Sequence, residues 1–276
     1  MHDQGLFKRF PGLVFHSYPI SHFRFALLSQ HKGLRHWIFT RRGGVSSGPF
    51  GSLNVSFNVG DHPTKVRDNL SKIRKAVLAR YLITMNQVHG SKVISLPKQE
   101  IDQDLTLPEC DAVVTNSPGA AVMVKLADCQ GVVLYSPTSN VLAVAHCGWR
   151  GNVANILGKT VNVMEQVFGC DPREIFAAVS PSLGPCCGEF KDHGKIFPTD
   201  FRLFMVGDNR FDLWALSRWQ LVEAGVKEEN IEVAGVCTRC NSDIFFSYRS
   251  NKVTGRFAVV AMLVPSKDHA ACSRQT

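Results

Sequence analysis

The sequence predicts a single α/β domain with an extensive sheet core. Three observations carry that expectation. Short apolar runs of strand length recur along the chain, and several are uninterrupted, which suits strands buried on both faces. Between them lie stretches whose apolar residues repeat at intervals of three and four, the spacing of one helix face. No repeat, low-complexity stretch or Pro/Ser-rich linker divides the 276 residues, and 45% apolar with 20% charged is a globular composition. A chain this long buries roughly 70–75% of its unfolded surface, so it needs no disulfide or metal to fold.

The elements follow in order. Residues 1–35 carry mixed signals and read as one or two edge strands with loops. The stretch 37–40 is a strand. It enters a Gly/Ser-rich loop at 41–48 of the kind whose backbone wraps a ligand. Asp61 is expected to cap a helix with Pro63 in its first turn, and Val66, Leu70, Ile73 and Val77 form its apolar face. Strands are expected at 82–85, 112–115, 121–126, 132–135 and 142–145. Gly151 is expected to open a second helix, with Val153, Leu157, Val161, Met164 and Val167 buried and Gly169 just past its end. A strand at 175–179, a helix at 212–224 followed by Gly225, and strands at 231–236 and 257–263 complete the reading.

Several function classes are excluded on composition. The longest apolar runs, such as 257–265, fall short of the ~18–20 residues of a membrane span. The opening MHDQGLFKRFPG lacks the apolar core of a signal peptide. A cytoplasmic protein with no membrane partner is expected. Nine cysteines, an odd number without secretory context, fit a reducing compartment, with most of them packed as small hydrophobes. Charge is uneven: residues 1–80 hold 13 Lys/Arg against Asp3, Asp61 and Asp68, while the remainder holds 18 against 20 acids. This basic third contains no recognisable nucleic-acid motif and reads as a solvated face, so nucleic acid is not the expected partner.

Chemistry concentrates at three strand ends. These are Gln87-Val88-His89-Gly90, Ala127-Asp128-Cys129-Gln130-Gly131 and His146-Cys147-Gly148-Trp149-Arg150-Gly151. One thiolate and two imidazoles make a zinc set whose fourth position stays open, the mark of a catalytic site. Spacings of 40 and 17 residues match no local metal motif, so two other readings stand beside it. The histidines can be buried and satisfied by backbone, or Cys129 and His146 can form a metal-free nucleophile–base pair. Gly148 to Gly151 turns a strand into a helix, where free N–H groups and Arg150 suit an anion, or where Trp149 simply packs. Cys237-Thr238-Arg239-Cys240 is a C-x-x-C whose only candidate partners for a four-cysteine site are the vicinal Cys186-Cys187. Arg249 and Arg256 flank Phe245-Phe246-Ser247-Tyr248, either as pocket walls or as framework.

With these motifs in this order, the chain resembles the YfiH/laccase-domain family from about residue 36 to residue 263. The resemblance rests on Phe39-Thr40-Arg41 with Gly43-Gly44-Val45-Ser46, on Ser52-Leu53-Asn54 and on Asn58-Val59-Gly60-Asp61. It continues through the three strand ends, Gly184-Pro185-Cys186-Cys187, the C-x-x-C, Phe245 to Arg249, and Gly255-Arg256. It implies a four-layer α/β/β/α arrangement of mixed sheets, with a catalytic domain at 36–265 between a poorly matched segment 1–35 and a tail 266–276. It implies Zn2+ held by His89, Cys129 and His146, copper being the older family label. It implies phosphorolysis of adenosine, inosine, guanosine and S-methyl-5'-thioadenosine, with adenosine deamination beside it. Purine nucleosides and inorganic phosphate are then the partners, for a monomer or small homo-oligomer.

Roles follow as expectations. Arg41 and Arg150 anchor phosphate. Asp128 orients a ligand, shuttles a proton or holds a turn. Asn54 and Gln87 contact base or ribose. Three departures from the family pattern bear on the pocket: Cys147 where alanine is usual, Gln130-Gly131 after the cysteine, and Gly188 in place of a frequent tyrosine. Successive strand residues face opposite ways, so Cys147 is expected to point away from the site. The rival functions are a metal-free cysteine hydrolase using Cys129 and His146, a polyphenol (laccase-type) oxidase, and a non-catalytic module that binds through its basic third.

Overall fold

The computed structural model describes residue 10, residues 12–97, residue 101 and residues 103–265. The expected tail at 266–276 and the first nine residues lie outside the described residues, and so does Asp3.

Strand pairing collects the apolar runs into two mixed sheets. One contains, in spatial order, β1 (Leu13–His16), β2 (His22–Phe25), β3 (Leu34–Phe39), β13 (Phe257–Leu263), β8 (Ala120–Leu126), β4 (Tyr81–Met85) and β6 (Leu105–Leu107). The other contains β12 (Ile231–Val233), β11 (Phe176–Val179), β9 (Gln130–Ser136), β10 (Val141–Cys147), β7 (Ala112–Thr115) and β5 (Val93–Leu96). Each sheet mixes antiparallel pairs, such as β13 with β8 and β10 with β9, with parallel ones, such as β4 with β8 and β5 with β7.

The two-residue side-chain period sets the layers. In β8, Val122 and Val124 join Val113, Val133, Val144 and Val259 in a core between the sheets. Their neighbours Ala121 and Met123 face outward onto Ile73 and Val77 of helix α1 (Pro63–Val77). In β10, Ala143, Ala145 and Cys147 face outward onto Ile156, Leu157 and Val161 of a helix on the far side. The result is helix, sheet, sheet, helix, as the resemblance implied. Among the described residues, no helix is long and apolar enough to cross a membrane.

Three local expectations are corrected. Asp61 does not cap α1; the cap is His62, whose ring accepts from the Thr64 N–H. Asp61 is buried, and its carboxylate accepts from Ser46, Asn54 and the His62 N–H. The second helix opens two residues before Gly151 and is two helices, α2 (Trp149–Val153) and α3 (Ile156–Phe168). Asn155 breaks it by adopting a left-handed conformation (φ 51°), which Asn tolerates, and its side chain caps α3 at Gly158 N. Val153 and Val167 are consequently exposed; Ile156 and Thr160 are buried instead. The strand expected to 236 ends at Val233, because Gly235 turns left-handed (φ 63°). The 41–48 loop, expected to suit a ligand, packs against α1: its Val45 N–H and Ser46 hydroxyl, and the Ser52 carbonyl beyond it, meet the buried Asn69 amide. Helix α4 (Leu213–Glu223) follows the pattern, with Asp212 capping Trp214 and Ala215.

Candidate active site

Cys129 ends the three-residue crossover between β8 and β9, the point where the chain passes from one sheet to the other. His146 lies on β10 of the second sheet, and His89 follows β4 of the first. Their ligating atoms all lie within 4.8 Å of one another, and the two imidazole rings stand at 80° with centroids 4.8 Å apart. Gly148 makes room: a Cβ there would sit 2.7 Å from Cys129 Sγ and 3.6 Å from the His89 ring.

One residue that the sequence did not single out organises both histidines. Asp111 is fully buried just ahead of β7. Its Oδ1 lies 2.8 Å from His146 Nδ1, and its main-chain carbonyl accepts from the His146 N–H at 2.7 Å. The same carboxylate accepts the backbone N–H groups of Val88, His89 and Gly90 at 3.3, 3.0 and 2.8 Å. These bonds hold His89 in its left-handed conformation (φ 60°), which a side-chain-bearing residue keeps only where its surroundings dictate it. With Nδ1 of His146 tied to Asp111, Nε2 is the nitrogen left for the centre.

The electrostatics favour the ligating form of the thiol. Burial would raise Cys129, but the charge of His146 and hydrogen bonds from His146 and His89 outweigh it and bring the thiol down to about 6. His146 is pushed by burial toward neutrality, yet the Cys129 thiolate and the Asp111 hydrogen bond lift it to about 9. Asp111 pays for its burial, but the His146 and Gly90 hydrogen bonds hold it below the usual carboxylate range. Cys147, facing the helix side, is driven up by burial and stays a thiol. Two imidazoles and one thiolate converging on a point with an open side form a donor set that fits zinc.

The three donors open into a cavity of about 580 Å³, also lined by Trp149, Arg150, Phe190, Tyr248, Arg249 and Arg256. Arg150 packs over the Trp149 ring at 4.9 Å, and Arg249 over Phe190 at 4.9 Å. Arg256 is partly buried, which lowers its pKa, while the charges of Cys129 and Asp128 act to raise it. Volume and mixed lining suit a small polar ligand with a flat ring, within the ~300–1,000 Å³ of ordinary ligand pockets.

Of the expected contacts, Asp128, Gln87 and Arg150 line this cavity and Arg41 and Asn54 do not. Asp128 is left-handed (φ 89°), and its carboxylate accepts from the Thr238 and Ser247 hydroxyls and the Arg249 N–H at 2.6–2.7 Å. It holds the crossover in place. The Gln87 amide is spent on the N–H and carbonyl of Lys125. Arg41 donates to the carbonyls of Gly51 and Ser242 and packs over Phe246, so it braces a loop. Asn54 is fully buried, with its amide engaged by Ser56, Asp61 and Arg256.

Two departures from the family pattern gain a structural account. Gln130 donates to the Leu213 carbonyl and accepts from Ser217, fastening β9 to α4. At Gly188 a Cβ would lie 2.6 Å from the Phe211 carbonyl oxygen, so no aromatic side chain fits there, and Phe190 lines the cavity instead. Asp111 gave only a weak sequence signal, an acid directly preceding an apolar strand.

Residues 35–264 match the protein family described as "Multi-copper polyphenol oxidoreductase laccase". The chain is similar to the purine nucleoside phosphorylase YlmD of Geobacillus stearothermophilus, at 32% identity over 235 residues, 79% of this chain and 85% of that one. It is likewise similar to the purine nucleoside phosphorylase YfiH of Escherichia coli K12, at 32% identity, covering 85% of this chain and 96% of the relative. The crystal structure of YlmD superposes with a TM-score of 0.82 at 27% identity, covering 92% of this chain and all of that one.

Proposed function

The chain belongs to the multi-copper polyphenol oxidoreductase laccase family, and from that premise we propose that it is a purine nucleoside phosphorylase working at the His89–Cys129–His146 centre. The observation that carries this reading is a three-donor cluster opening into a cavity rimmed by arginines and aromatic rings. Relatives named purine nucleoside phosphorylases support it.

Phosphorolysis joins a phosphate oxygen to C1' of the sugar as the bond from C1' to the purine breaks; the purine leaves with the bonding pair and takes up a proton. Arg150, with the guanidinium nitrogens that Arg249 and Arg256 do not spend on the carbonyls of Glu189, Thr254 and Gly255, supplies donors that suit a phosphate dianion. Trp149, Phe190 and Tyr248 offer faces for the purine. Zn2+ held by His89, Cys129 and His146 would supply a Lewis acid with one open position. Asp111 orients His146, and Asp128 fixes the Cys129 segment, so both act through their neighbours. Adenosine, inosine, guanosine and S-methyl-5'-thioadenosine are the proposed substrates. Hydrolytic deamination of adenosine, in which water replaces the amino group at C6, is the proposed side activity.

A second reading has one observation of its own: Asp111, His146 and Cys129 stand in carboxylate–imidazole–thiol order, as in a metal-free hydrolase. His89 argues against it, since a thiol nucleophile needs only one imidazole. A copper-oxidase reading has the family description behind it. The two-imidazole, one-thiolate donors would also suit a single blue-type copper, but among the described residues the other cluster of three or more metal-binding side chains is all-cysteine, so no second histidine-bearing centre stands beside it for a multicopper arrangement.

The test is chromatography of adenosine incubated with the purified protein, with and without phosphate. Phosphate-dependent adenine is the expected product, and inosine formed without phosphate would mark the deaminase activity. Neither product from zinc-loaded, folded protein would overturn the reading. Loss of an esterase-type activity on alkylation of one thiol, without metal release, would favour the hydrolase.

A further inference from the structure

We propose that Cys186, Cys187, Cys237 and Cys240 form a second metal site, a closed four-thiolate zinc centre that clamps two loops behind the active-site wall. The four Sγ atoms all lie within 4.8 Å of one another. Cys240 Sγ is 3.6 Å from both Cys186 Sγ and Cys187 Sγ. A zinc ion at the usual ~2.3 Å from each sulfur of a tetrahedron separates the sulfurs by about 3.8 Å. The thiols thus already stand close to the edges of a coordination tetrahedron, and far outside disulfide length.

The surrounding backbone is built for this approach. Residues 182 and 237 pair as a parallel bridge, with Ser182 N–H donating to the Val236 carbonyl and Thr238 N–H to the Ser182 carbonyl. That places the turn at 184–187 against the turn at 237–240. Gly184 lets them meet: a Cβ there would lie 3.0 Å from Cys237 Cβ and 2.7 Å from the Trp214 ring. The N–H groups of Gly184 and Cys240 donate to Cys237 Sγ, which fixes that sulfur between the two turns. With four sulfurs and no open position, the site is structural in character.

Its location gives it a consequence for the cavity. Leu183, next to Gly184, donates its N–H to the Asp128 carbonyl, and Thr238, next to Cys237, donates its hydroxyl to the Asp128 carboxylate. Both clamped loops therefore end on the residue that precedes Cys129. The clamp differs from the His89–Cys129–His146 centre in residues, donor set and exposure, so the two can be lost independently.

Native mass spectrometry of the full chain, reduced and equilibrated with Zn2+, tests this. Two zinc ions per chain are expected, with Cys129→Ala holding one and Cys186→Ser/Cys240→Ser, altered at two exposed positions, also holding one. The double variant should lower the melting temperature while keeping the zinc at Cys129. A wild-type chain whose only zinc is lost in Cys129→Ala, or a double variant that keeps the full wild-type zinc content, would overturn the proposal. If the double variant does not fold, Co2+ loading of Cys129→Ala decides the matter. The intense visible absorption of tetrahedral all-thiolate Co2+ is expected; its absence, or oxidation of Cys240 to a disulfide in the presence of metal, overturns the site.

Discussion

His146 Nδ1 lies 2.8 Å from Asp111 Oδ1, and the same carboxylate collects the N–H groups of residues 88, 89 and 90. One buried acid thus sets the direction of one histidine side chain and the backbone of the other. Asp111→Asn keeps the shape but withdraws the charge and leaves a donor facing a donor. Zinc affinity at this centre is expected to fall about 10–100-fold, the usual cost of losing a partner behind a ligand. Competition with a chromogenic chelator measures it, and unchanged affinity would show that Asp111 serves only the fold.

Gly148→Ala should damage the centre while sparing the fold. The backbone there is ordinary (φ −94°), so alanine meets no conformational barrier, but its Cβ would fall 2.7 Å from Cys129 Sγ. Loss of bound zinc with a melting temperature close to wild type is the expected pairing. A variant with full zinc content would show that the sulfur has room to move.

The reactivity of Cys129 should follow its depressed pKa. In metal-stripped protein its alkylation by iodoacetamide, followed by peptide mass spectrometry, is expected to rise as pH increases through about 6, not near the ordinary thiol value. His146→Gln removes the largest favourable interaction and should move the rise toward higher pH. A wild-type profile rising only above pH 8 would contradict the pairing of thiolate and imidazolium.

Acid should destabilise the chain through two histidines remote from the centre. Burial, the largest cause in each case, lowers His36 to about 3 and His22 to about 4. His36 Nε2 accepts the Phe25 N–H at 2.9 Å, which only a neutral ring nitrogen can do. Since the unfolded chain takes up these protons near 6.5, stability is complete above that pH and falls as pH drops toward 4 and 3. His36→Gln should flatten the decline in melting temperature between pH 7 and pH 4.5. An unchanged slope would assign the decline to other groups.

Arg41 and Arg150 should separate stability from phosphate binding. Arg41→Ala removes two hydrogen bonds to backbone carbonyls and is expected to cost about 1.5–3 kcal/mol of stability while leaving the KM for phosphate unchanged. Arg150→Ala, on the cavity rim, is expected to raise that KM at nearly wild-type stability. The reverse pattern would restore Arg41 as the anion ligand.

The periodicity was enough to read the central strands and α1, because strands such as 112–115 and 257–263 are buried on both faces and carry no polar residue before their last position, while the part-exposed edge strands β5 and β6 escaped it. The three donors were legible for a different reason: each sits where an apolar run meets glycine or a polar turn. Their partners were not. Asp111 and Asn69 act through contacts with segments 15 to 35 residues away, which no local pattern encodes. Arg41's partners were not legible either, because an arginine in a glycine-rich loop looks the same whether its donors meet phosphate or backbone carbonyls such as those of Gly51 and Ser242. Asn155 broke a helix that its apolar spacing carried straight through.

The three donors are shared between sheets: His89 hangs from the first, His146 from the second, and Cys129 from the strap that joins them. The distance between sheets is therefore also the bite of the centre. At one close approach between them, a Cβ on Gly131 would meet Leu126 at 2.8 Å and Val259 at 3.1 Å. The apolar interior then acts as a calibration spacer. A methylene added at that seam would splay the three donors, so a change in packing would register in metal binding as well as in stability.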